Sequence, residues 1–295
     1  MRTFGGGEFM TMTYHIKWLL PVLLCFGMTQ DIMANGGRPH SLYVYWGWNR
    51  AWYSSSDITF QGPDYHFTLH KADAHDKPTP FSLDPYFHPK WITIPQTNLR
   101  IGYDLGNSWD ISIGVDHMKY VVTTYQKLDI TGYVSVKGSP YAGVYDHQRI
   151  TLTDDFVHLE HTDGLNYMNL ELRKTLFKLH SSGILKNIEL SGIAGGGTGV
   201  LLPKTNATLL GHARHDDFHL SGFGFAGISG LRLTFYQFFF LQSEAKGGFI
   251  SMPSIRTTAD KADKAKQHFW FAQTNFTFGF RWALNKKDPD CNCYK

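Results

Sequence analysis

The chain has 295 residues and a net charge of +3; only 18% of it is charged, whereas 15% is aromatic. A soluble enzyme carries about a quarter of its residues as charges, so this balance argues against an ordinary soluble fold. The mild charge, with no basic cluster interleaved with aromatics, excludes a nucleic-acid partner.

The chain opens on a leader. His15, Lys17 and Trp18 precede the apolar run LLPVLLCFGM (19–28), and Ala34 ends the region that follows. A basic n-region, a short apolar run and a small-residue site predict a secretory signal peptide over 1–34. That run is too short to cross a bilayer as a helix, and Leu24 stands before Cys25 where lipidation would need a small residue. Residues 35–282 form the mature body, and 283–295 a periplasmic tail. Its Cys291 and Cys293 are too few for a disulfide framework.

From there on, period two recurs. LYVYWGWN (42–49) sets Leu42, Val44, Trp46 and Trp48 against Tyr43, Tyr45, Gly47 and Asn49. NLRIGYDL (98–105) and WDISIGVD (109–116) separate an aliphatic face from Arg100, Asp104, Asp110 and Asp116. NYMNLELR (166–173) opposes Met168, Leu170 and Leu172 to Glu171 and Arg173. NIELSGIA (187–194) carries Glu189, FHLSGFGF (218–225) is short and glycine-rich, and LRLTFYQFFFLQ (231–242) carries Arg232. WFAQTNFTFGFRW (270–282) aligns Phe276, Phe278, Phe280 and Trp282 against a face ending in Arg281. These eight segments predict eight strands.

A soluble sandwich also alternates. Three features favour an all-β, closed antiparallel transmembrane barrel instead. Trp46, Trp48, Trp109, Trp270 and Trp282 lie near strand ends, where interfacial girdles place aromatics. Arg100, Asp104, Asp110, Asp116, Glu171, Arg173, Glu189, Arg232 and Arg281 point to the other face; they are too costly for a dry core but can pair inside a lumen. Finally, the short joints 106–108, 180–185 and 226–229 alternate with the long ones 54–95, 124–164, 199–216 and 247–266. Short periplasmic turns and long extracellular loops follow from that asymmetry. Ten strands stay open, with DITF and YHFTLH (within 57–70) either an added hairpin or a prolongation above the membrane.

Over residues 41–282, through this alternation, the GYDLGNSWDISIG turn and the final FTFGFRW, the chain resembles small outer-membrane β-barrel proteins of Gram-negative bacteria. That resemblance implies an integral outer-membrane protein in contact with membrane lipid and lipopolysaccharide, and carries no reaction with it.

IAGGGTGVLLPKT (193–205) has phosphate-loop glycines but no helix to open, and reads as a flexible rim. TTADKADKAKQ (257–267) reads as a solvated loop whose Lys261, Lys264 and Lys266 face the anionic lipid surface. The interior of an eight-stranded barrel is just wide enough for side chains to fill it, so the lumen charges are expected to pair and close it. A narrow porin is the alternative if the strand number is higher.

The remaining chemistry lies in DFVHLEHTDGLNYMNLELRK (155–174). His117, His158, His161 and Asp163 fall at the predicted outer rim of two neighbouring strands. His161, Asp163 and His117 are candidates for acyl-ester hydrolysis at the outer leaflet, and His158, His161 and Asp163 for a metal. The fragment is loosely similar to the His-x-Ser motif of lipid A 3-O-deacylases, themselves eight-stranded barrels, but Asp163 stands where the serine would be. The expectation is therefore a non-enzymatic barrel without cofactor or metal, whose loops bind an envelope or extracellular partner.

Overall fold

The computed structural model describes residues 28–30, 40–88, 90, 94–182, 186–211 and 215–284. The predicted leader, apart from residues 28–30, and the tail beyond 284 lie outside these. In chain order the strands are β1 (Met28–Gln30), β2 (Ser41–Tyr53), β3 (Ser56–Gly62), β4 (Tyr65–Ala72) and β5 (Ala74–His75). A single helical turn, α1 (Leu83–Tyr86), then precedes β6 (Thr97–Gly106), β7 (Trp109–Val122), β8 (Lys127–Val134), β9 (Gly143–Thr151) and β10 (Val157–Ser181). The last are β11 (Ile188–Leu201), β12 (Lys204–Leu209), β13 (His215–Phe218), β14 (Gly222–Phe235), β15 (Phe239–Arg256) and β16 (Lys264–Ala283).

Eight of these close a ring: β2, β6, β7, β10, β11, β14, β15 and β16, every pairing antiparallel. The seam joins the first and last ring strands, from Phe271↔Tyr53 to Ala283↔Ser41. Following the register from Leu99 reaches Phe278 one way round and His268 the other, a stagger of ten residues along β16. Such a stagger is what closing a tilted barrel requires. Closure leaves no strand edge open over the ring, which a wall in lipid demands.

The strands fall on both faces as alternation predicts, but two boundaries differ. The sixth ring strand runs unbroken through AGIS (226–229), where a joint was expected, and the turn lies at Tyr236–Phe238 instead. LRLTFYQFFFLQ is therefore the end of β14, a turn and the start of β15. The glycine run Gly195–Gly199 is strand rather than rim, and its register shows why. Gly195, Gly197 and Gly199 pair with Arg173, Glu171 and Asn169. A Cβ on Gly197 would meet Leu170 O at 2.3 Å and Glu171 Cγ at 2.6 Å. The glycines make room for β10's large polar side chains to cross the lumen.

The third finding concerns height. β16 reads Lys264, Lys266, His268, Trp270 and then Phe276, Phe280, Trp282 on its exposed face. Its buried face reads Ala265, Gln267, Phe269, Phe271 and then Gln273, Asn275, Thr277. One strand thus has an apolar outside over a polar inside below Trp270, and the inverse above it. From Trp270 to Trp282, twelve residues of tilted strand rise about 30 Å, the height of a bilayer's apolar band. Above that band the strands continue. β3 continues the wall beside β16, followed by β4, β8 and β9, while β12 and β13 extend from β10. The predicted DITF–YHFTLH hairpin is β3–β4, outside the ring. These extensions enclose an apolar core that includes Ile58, Phe60, Phe67, Tyr120, Phe156, Ile250, Met252 and Phe269.

Candidate functional site: the charged lumen and the long-loop rim

Below the apolar head, inward side chains converge from five strands. Arg173 Nη1 donates to Glu244 Oε1 at 2.5 Å, its Nε to Glu171 Oε2 at 2.9 Å, and its Nη2 to Tyr45 Oη at 2.6 Å. Arg100 Nη2 reaches Glu171 Oε1 at 2.8 Å and Asn169 Oδ1 at 2.5 Å. Lys246 Nζ bridges Asp116 Oδ2 at 2.5 Å and Glu171 Oε1 at 2.6 Å. Arg100, Arg173 and Lys246 thus meet Asp116, Glu171 and Glu244, all buried. Equal charges with full hydrogen bonding are what make burial of ions tolerable. Asn98 and Asn169 complete Asp116, donating at 2.9 and 3.0 Å.

The other expected lumen residues lie nearer the short-turn end. Tyr43 donates to Asp110. Arg232 stacks over Tyr43 and Phe240 and donates to Gln242 at 2.5 Å. Asp104 accepts the Gly106 N–H at the first short turn. Glu189 pairs with His180 at 3.0 Å, and Arg281 is half-buried. Glu244 and Lys246, central to the network, escape sequence reading because β15 was split between a misplaced strand and a loop. Their alternation with Gln242, one residue in two, was the available signal.

At the rim the histidines are dispersed. β10 carries a bulge where the register slips between His161 and Leu165 opposite Tyr120 and Met118. Gly164 makes it possible, at φ +127°. His161 points into the apolar head, against Tyr120, with Nδ1 3.1 Å from Thr205 Oγ1 and Nε2 buried with no hydrogen-bond partner among the described residues. Burial pushes its pKa down to about 3, so the ring is neutral. Asp163 faces outward and pairs with Lys204 at 3.2 Å. His117 bonds Asn166 at 2.8 Å. Each candidate base or ligand therefore has its own partner, and His161 and Asp163 lie on opposite sides of the wall. Among the described residues, no three His, Cys, Asp or Glu side chains are grouped as one ion needs.

His158 instead belongs to a clasp. It lies 3.0 Å from Asp154 and 3.7 Å from Glu160. Glu160 also accepts from Lys77 in the first long loop at 3.2 Å and from Asn206 on β12 at 2.7 Å. The nearby Glu160 carboxylate raises the His158 pKa, and the imidazole in turn holds Glu160 well below the carboxylate range. A second polar relay crosses the outside of the head. Asp57 Oδ2 is 3.2 Å from His70 Nδ1, and His70 Nε2 is 2.8 Å from Thr131 Oγ1, joining β3, β4 and β8.

No family model matches the sequence, and no curated protein matches it. Among solved structures, the chain is similar to Ail, the attachment invasion locus protein of Yersinia pestis (10% identity, 83% of this chain and 99% of Ail, TM-score 0.29). It is also similar to the outer membrane protein AlkL (11% identity, 88% of this chain and 97% of AlkL, TM-score 0.37). The outer membrane protease OmpT from Escherichia coli matches at 10% identity, over 85% of this chain and all of OmpT, with a TM-score of 0.23. The barrel architecture rests on the ring of strands itself.

Proposed function

We propose that the chain is an integral outer-membrane β-barrel of a Gram-negative bacterium, with a sealed lumen and a β-structured head that binds an envelope or extracellular partner. The observation that carries this reading is the inversion of polarity within single strands, a lipid-facing barrel below Trp270 and a water-facing head above it. Two layers block the axis in this reading. The Arg100–Arg173–Lys246 network fills the barrel, and the apolar core fills the head. The long loops, extended as strands, are firm enough to present a fixed surface. Around the head's base, Lys264, Lys266 and His268 stand exposed on β16 just above Trp270, suited to anionic headgroups of lipopolysaccharide.

Planar-bilayer recording with the refolded barrel tests the seal. No single-channel steps are expected; regular steps would return the protein to the porin class.

A further inference from the structure

The first long loop does not rise over the mouth throughout its length. After β5 it turns back down the outside of the wall. α1 rests against Trp48, with the Phe87 ring 5.2 Å and the Tyr86 ring 5.7 Å from the indole. Trp48 is an outward residue of β2, paired with Thr97 and Phe276, and its indole also meets Phe278 of the lipid-facing band. It lies four residues below Trp52, which is 56% exposed. At strand rise and barrel tilt, that is about 10 Å. The loop segment therefore sits below the girdle of Trp52 and Trp270.

The segment is two-sided. Its polar links turn towards the barrel: Tyr86 Oη donates to Thr79 O at 2.7 Å and accepts from Arg50 Nη2 at 3.3 Å, and Asp76 accepts the Ala51 N–H at 3.1 Å. Its apolar side chains are left largely uncovered: Phe81 is 72% and Leu83 74% exposed, and Phe87, though it touches Trp48, is still 55% exposed. In water, three large apolar side chains so exposed on one short loop would be costly, at ~1.5–3 kcal/mol each for full burial. Continuous with the aromatic band, they match a segment lying ~5–10 Å into the boundary between headgroups and chains.

We propose that residues 80–88 form an interfacial hook, inserted among acyl chains of the outer leaflet beside β2. This rests on the reading that the barrel spans a bilayer with its long-loop end outermost. The hook would hold the first loop down, leaving the head's other faces free for a partner.

The test places a polarity-sensitive NBD probe at single cysteines, with Cys25, Cys291 and Cys293 replaced by serine, in the refolded barrel in phospholipid vesicles. The sites are Leu83→Cys, Phe81→Cys as a second hook position, Val144→Cys on exposed β9, and Phe276→Cys on the band. Hook probes are expected to emit blue-shifted light and be quenched several-fold more by shallow doxyl-labelled lipids than by aqueous iodide. The Val144 probe should show the reverse. Hook probes that behave like Val144 while Phe276 stays lipid-quenched overturn the hook alone. Hook probes that are dry but untouched by doxyl lipids overturn it as well, since they pack on protein. A Phe276 probe open to iodide overturns both the hook and the bilayer-spanning barrel beneath it.

Discussion

Two kinds of ion pair coexist in the molecule, and their burial sets their energetic weight. Arg173 is held by Glu171, Glu244 and Tyr45 away from water, whereas Arg149 meets Asp129 at 3.5 Å with both side chains largely exposed. Removing one partner of a buried pair strands the other, costing ~3–5 kcal/mol; an exposed pair contributes ~0–1 kcal/mol. Arg173→Met should therefore lower the urea midpoint of the heat-modifiable gel shift markedly, and Arg149→Met should leave it in place. Equal midpoints would show that the lumen network bears little of the load. Gly197 makes a complementary case, because Gly197→Val drives a branched side chain into Glu171. Overpacking of this kind costs ~1–3 kcal/mol, and the same midpoint reads it. Nothing in GGGTG by itself discloses that role. Glycines that clear space look like glycines that bend, until register puts Arg173, Glu171 and Asn169 opposite them.

Elements were legible where their turn chemistry was conventional. The first short turn places Gly106, Asn107 and Ser108 at positive φ, and GNS announces it. The third places Tyr236 and Gln237 at positive φ, residue types that give no such signal, inside an apolar run that reads as one strand. That missing cue displaced β14 and β15 and concealed Glu244 and Lys246. The histidine cluster misled differently: a bulge of extra residues at His161–Leu165 sends neighbours to opposite faces, which alternation alone cannot foresee. Gly164→Ala should loosen this bulge, since φ +127° strains any side chain and a Cβ there would meet Asn166 and His117. Faster amide exchange in β10 near Leu159–Leu165, with the lower barrel unchanged, is the expected readout.

The Glu160 clasp ties three loop systems together and gives a pH dependence of known sign. The His158 pKa is raised in the fold, so its share of stability is present below its ordinary value near 6.5 and is lost as pH rises through the folded value. That of Glu160 is lowered, so its share is present above about 4.5 and is lost as pH falls towards the folded value. Lys77 and Asn206 also hold the Glu160 carboxylate, and Asp154 adds to the imidazolium's attraction. Protease nicking of the first and second long loops should thus be slower at pH 6 than at pH 8. His158→Gln should erase the difference; a difference that survives the substitution places the pH sensor elsewhere.

At the scale of the whole molecule, the ring of eight strands was readable because one rule holds along every wall segment, apolar out and polar or charged in. The head obeys the opposite rule. Of its strands, only β3 and β4 show in the sequence, as DITF and YHFTLH; β8, β9, β12 and most of β13 lie in stretches that alternation leaves as loops. The pairings that tie these hairpins to the barrel and to one another, β3 to β16, β4 to β8 and β12 to β10, join segments distant along the chain. Lumen ions were legible one by one, whereas their convergence on Glu171 depended on the closed register.

The seam between β2 and β16 also fixes an order of events. The strand that seals the wall is the last of the ring to leave the ribosome, so neither the lumen network nor the head can be completed around a chain still being made. A nascent chain stopped before Lys264 leaves one flank of β2 and one of β15 without a neighbour. Closure of the wall must therefore wait for a chain made through β16, kept from collapsing or aggregating in the interval.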